Sequence, residues 1–165
     1  MKKFIPFILV LSILLAGCHS APDPTEAPTP QLQIGNPWKS YESMADAEAA
    51  SGLDFPIPEE ITDLYIAESF RVMNNALIEV TYRDLTGGDS EVTVRMNAGE
   101  DEDISGVYED PDSIETQQIN GASITVKIKG QSCLYLICAN GFSYSLYAPN
   151  HFIGESADAF LSYIY

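Results

Sequence analysis

The residues from Glu100 to Asp112, EDEDISGVYEDPD, hold seven carboxylates in thirteen positions and no base. Hard oxygen ligands at alternate positions around a glycine are what a calcium loop needs, because Ca2+ takes about six to eight oxygens and the chain must turn sharply to supply them. Counted from Asp101, the stretch puts Asp101, Asp103 and Ser105 at the first, third and fifth positions. Gly106 is sixth, the Val107 carbonyl seventh and Glu109 ninth. Asp112 stands twelfth, where a longer glutamate would give two oxygens, and Pro111 constrains its approach. Strand patterns, not helices, flank the stretch. The simpler reading is therefore a solvated connection whose like charges face water. A Ca2+ site built from Asp101, Asp103, Ser105, Val107, Glu109 and Asp112 is the alternative. On either reading ISGVY is the structural part, with Ile104 or Tyr108 expected to turn towards the core.

Other reactive constellations are sparse. His19 and His151 are the only histidines, and His19 lies in a proline-rich tether, so a zinc triad of histidines has no basis. A serine nucleophile would depend on the single imidazole of His151 and a carboxylate to orient it. Neither Gly-x-Ser-x-Gly nor a phosphate-cradling glycine loop is present. Carboxylate pairs suited to glycoside hydrolysis are plentiful but unmarked. The chain reads as a non-enzyme that binds or senses a ligand or protein partner, with a glycan hydrolase as the alternative. Tyr135, Phe142, Tyr144 and Tyr147 gather on one hairpin, where aromatic rings pack well on a pleated surface. Stacking on sugars is the other use of such rings.

The elements that must position these groups begin after an address. Lys2 and Lys3 precede an apolar run from Phe4 to Leu15, with Ala16 and Gly17 as the small residues before cleavage, so residues 1–17 read as a signal peptide. Leu15-Ala16-Gly17-Cys18 resembles the bacterial lipobox, which makes Cys18 the expected diacylglyceryl attachment site and mature N-terminus. More than one acyl chain on a residue gives stable anchoring, here on the extracytoplasmic face of the cell membrane. Residues 18–35 carry four prolines and form an extended tether, reaching roughly 50 Å at about 3.1 Å per residue. Loss of Lys2 and Lys3 takes the formal net charge from −16 to −18. Such a surface repels nucleic acid, whose binding depends on lysine and arginine displacing counterions.

Residues 36–165 have the length of one domain. Ser43 can cap a short helix from Met44 to Ala50, with Gly52 as its left-handed terminator. From Ile66 the apolar period becomes two. Ile78, Val80 and Tyr82 alternate with Glu79, Thr81 and Arg83; Val92, Val94 and Met96 alternate with Glu91, Thr93 and Arg95. Pairing Tyr82 with Val92 sets Arg83 against Glu91 and Glu79 against Arg95, and opposite charges across a strand pair fix its register. Arg71, Arg83, Arg95, Lys127 and Lys129 then share the outward face, as ion-pair partners or, alternatively, as an anion-binding stripe.

Asn120-Gly121 and Asn140-Gly141 signal tight turns. CLYLICA and FSYSLYA are apolar on both faces, which places them mid-sheet or beneath a helix. A helix from about Glu155 carries an apolar stripe of Ala157, Phe160, Leu161 and Ile164. The expected fold is α+β: an antiparallel sheet of about six or seven strands, a short N-terminal helix and a C-terminal helix, at least one packed on the sheet. Cys133 and Cys138 lie five residues apart on one strand, about 16 Å, whereas a disulfide needs Cα atoms within about 7 Å. They read as free thiols on opposite faces, unless a bend brings them together.

NPW at 36–38, SMADAEAASG, LIEVTYRD, EDISGVY and VKIKG with LYLICANGFSYSL together resemble a family of small extracytoplasmic domains of Gram-positive bacteria, domain of unknown function 4367. The resemblance spans nearly all of residues 36–165. It implies a domain found in lipoproteins and on the outer side of anti-sigma-factor-like membrane proteins, hence sensing or binding. It brings no catalytic residues, and its shared part of the acidic stretch is EDISG, not the ligand set starting at Asp101.

Overall fold

A computed structural model describes residues 36–87, 91–100, 103–119, 121–150 and 155–165, and among them nine strands form, several of them from the alternation of apolar and polar residues. The signal peptide, Cys18, the tether with His19, Asp101, Asn120 and His151 lie outside the described residues. In chain order the elements are β1 (Trp38–Tyr41), α1 (Met44–Ser51), β2 (Glu60–Ile61), β3 (Tyr65–Met73), β4 (Leu77–Asp84) and β5 (Glu91–Ala98). They continue with β6 (Ser113–Ile119), β7 (Ala122–Lys129), β8 (Ser132–Ala139), β9 (Phe142–Ala148) and α2 (Glu155–Leu161).

All strands join one antiparallel sheet in the order β1-β3-β4-β5-β9-β8-β7-β6, with β2 on the side of β3. The count exceeds the expected six or seven for physical reasons. β1 follows a proline and has no alternation to read, β2 has two residues, and the side chains of Ser113 to Gln118 on β6 are exposed. An edge strand with no buried face leaves no hydrophobic period. The hairpin of β4 and β5 has the expected register: Tyr82 opposite Val92, Glu79 opposite Arg95, Thr81 opposite Thr93 and Arg83 opposite Glu91.

The core lies on one face, where Val80, Val94, Leu146 and Tyr135 are neighbours across β4, β5, β9 and β8. Met44 and Ala47 of α1 join it, as do Ala157, Phe160, Leu161 and Ile164 after β9. Phe160 makes edge contacts with Tyr65 and Tyr82, each with ring centroids 5.1 Å apart. α1 begins where Ser43 Oγ accepts from the Asp46 amide at 3.2 Å, and ends at Gly52, whose φ of 72° lets its N–H reach the Glu48 carbonyl. Cys133 and Cys138 are free thiols; Cys133 points to the core and strand alternation sends Cys138 to the opposite face. Among the described residues no helix is long and apolar enough to cross a membrane.

Candidate functional site

Ile78 and Val80 face the core, so alternation sends Glu79 to the opposite face. There the register sets Arg71 of β3 on one side of it and Arg95 of β5 on the other. Arg71 donates to Glu79 Oε1 from Nε at 2.7 Å and from Nη2, while Arg95 Nε donates to Oε2 at 2.7 Å. Glu79 is 1% exposed. A buried carboxylate is tolerable only when paired and hydrogen-bonded, and here a guanidinium takes each oxygen. Trp38 lies against both cations, its ring centroid 5.2 Å from the guanidinium carbons of Arg71 and Arg95, a cation–π distance. It reaches them because β1 pairs with β3, with Trp38 opposite Met73.

Arg95 also organises the acidic stretch. Its Nη1 donates to the carbonyl of Ile104 at 3.0 Å and to that of Ser105. The stretch belongs to the connection between β5, in the sheet interior, and β6, at its far edge, so it must pass β9, β8 and β7. It does so over the face opposite the core, as a strap. At Gly106 the strap runs so close to Arg95 that a Cβ would lie 2.6 Å from Nη1, and φ is 67°. The glycine at the turn position of the cation-loop pattern is the residue that lies against this arginine.

Lysines of β7 hold the rest of the strap. Asp103 Oδ1 accepts from the Ser105 amide at 3.1 Å and from its hydroxyl at 2.6 Å, and Oδ2 from Lys127 Nζ at 2.8 Å. Partial burial pushes its pKa up, but the bonds from Lys127 and Ser105 outweigh this and hold the carboxyl below the usual range. Asp112 Oδ2 accepts from the Gly130 amide at 2.8 Å and Oδ1 from Lys129 Nζ at 3.4 Å, which also hold its pKa down. Ser105 Oγ accepts from the Val107 amide at 3.1 Å, Val107 is half-buried and Glu109 is exposed. Among the described residues, no three histidine, cysteine, aspartate or glutamate side chains gather as cation ligands. Ile104 is buried, though beneath the strap on the face opposite the core and not in the core itself, whereas Tyr108 is 95% exposed.

The five outward bases thus each have a carboxylate partner within the chain, Arg83 pairing with Glu68 at 3.2 Å and not with Glu91 opposite it. Tyr135 and Tyr144 face the core, where burial raises their phenol pKa values, that of Tyr135 to about 12. The expected aromatic cluster is mainly core.

Beside Arg95 the strap leaves a cleft of about 310 Å³. Met73, Leu77 and Ile104 give it apolar walls, Asn74 and Asn97 bring carboxamides, and Tyr108 stands at its rim. Asn74 is placed by the turn between β3 and β4, where Asn74 and Asn75 have φ of 54° and 55° and the Ala76 amide donates to the Met73 carbonyl. Neither Trp38 nor Asn74 was singled out by residue chemistry. The available signal was Asn-Asn between two alternating runs, since asparagine tolerates positive φ. Comparison of the chain with protein-family models, curated proteins and solved structures finds no match.

Proposed function

We propose that the chain is a lipoprotein held at the extracytoplasmic face of a cell membrane through Cys18, and that its domain binds or senses a ligand or partner without catalysing a reaction. The cleft beside Arg95 carries the binding half of this reading. It has the size of a small-molecule site, apolar walls and a few convergent polar groups. Among the described residues its two charged groups already have internal partners, Arg95 on Glu79 and the strap carbonyls, Asp103 on Lys127 and Ser105. Groups so engaged favour recognition over proton transfer.

The lipobox around Cys18 supports the anchoring half, and the likeness to domain of unknown function 4367 is consistent with both. Replacing Cys18 by Ala tests the anchor. The variant is expected to leave the membrane fraction or to keep its signal peptide; normal acylation and retention would overturn the reading.

A further inference from the structure

We propose that the cleft beside Arg95 takes a neutral N-acetylated sugar unit; this rests on the binding reading above. What the site offers a ligand follows from what is already engaged. Arg95 and Asp103 are held by partners of the chain, so an ionic ligand would have to displace an existing ion pair. The excess of acids over bases further repels polyanions. A neutral ligand meets neither obstacle.

Among the described residues three features of the cleft remain. Tyr108 presents an aromatic ring that packs on almost nothing, the largest exposure among the exposed large apolar side chains described. Sugar rings have an apolar C–H face that stacks on such rings, and the phenol adds a hydrogen-bonding tip. Met73, Leu77 and Ile104 form a small apolar wall suited to an acetyl methyl. Asn74 brings a carboxamide, with donors and an acceptor, matching an acetamido group. At about 310 Å³ the cleft is near the lower limit for small-molecule sites, which suits one sugar unit with its neighbours in solvent. A plain hexose would leave the apolar wall uncovered.

The chain carries a built-in reporter. Trp38 is its only tryptophan, and its ring lies against the Arg95 guanidinium that lines the cleft. The experiment titrates the full chain in detergent with the neutral N-acetylglucosamine trimer, read by Trp38 fluorescence and by calorimetry. Saturable binding is expected. Tyr108→Ala should weaken it about tenfold while leaving Tm unchanged. Asn74→Gly, which keeps the positive-φ turn and removes only the carboxamide, should also weaken it. The neutral dipeptide N-acetyl-Leu-Leu-amide, titrated in parallel, separates the two claims. Saturation by it with no response to the trimer would overturn the sugar class and leave the binding reading standing. Absence of both responses would overturn the sugar class and the cleft as the binding site, and trimer binding that Tyr108→Ala leaves unchanged would overturn the assignment to this cleft.

Discussion

Val80, Val94 and Leu146 lie side by side on the helix-bearing face of the sheet; one residue along the same three strands, Glu79, Arg95 and Ser145 lie side by side on the other. Both rows are largely withdrawn from water, Arg95 alone keeping partial exposure at the cleft, but by different means. The apolar row needs only bulk, which Phe160 and the helices supply. The polar row needs partners at set distances, which Arg71, Trp38 and the strap carbonyls supply. Dispersion and water exclusion are non-directional and tolerate many arrangements, whereas a buried ion set is stable only with its hydrogen bonds complete. The first face makes the fold stable; the second fixes where the strap lies and so shapes the cleft.

This contrast can be broken from either side. Phe160→Ala removes a fully buried ring from the apolar face and should cost about 3 to 5 kcal/mol, read by urea unfolding. A loss near that of an exposed position would mean that α2 does not close the core. Glu79→Ala leaves two guanidiniums facing each other without their carboxylate and should cost about 3 kcal/mol. It should also shift Trp38 emission, because both cations against the ring lose their anchor; Phe160→Ala should not, although it is the more destabilising change.

The smallest effect is the pH response of the strap. The folded pKa of Asp103 lies below its unfolded value, so its contribution is present at neutral pH and is lost as pH falls below about 4 through the folded value. A partly exposed pair of this kind contributes less than about 1 kcal/mol. Asp103→Asn should flatten the fall in Tm over that acid range; an unchanged slope would show that Lys127 does not hold the strap through charge.

The sequence was most informative where local rules agree on one answer. Alternation placed Ile78, Val80 and Tyr82 inside and predicted Glu79 opposite Arg95, because period two and charge pairing agree on one register. The caps of α1 and the turn at Asn140-Gly141 were legible from residues that suit their backbone angles. The site was less legible because it depends on distant residues meeting. Gly106 suits a cation loop and an arginine contact equally well, and the arginine contact is visible only once the strap is seen to pass over β5. The apolar outer face of CLYLICA had the same cause. Leu134 is buried next to Val107 and Pro111 of the strap, not under a helix.

The route of the strap also has a consequence for assembly. β3 to β5 and β6 to β9 are two meanders of local hairpins, but β5 and β9, which join them, are far apart in the chain. Local pairings close small loops and form early, while the β5–β9 seam must await the last strand to be synthesised. During synthesis the first meander therefore emerges with the β5 edge bare, the edge that β9 covers in the finished sheet. The strap spans that seam, tied to Arg95 on one side and to Lys127 and Lys129 on the other. It acts as a latch across the seam, so the cleft it shapes is complete only when the two halves have met.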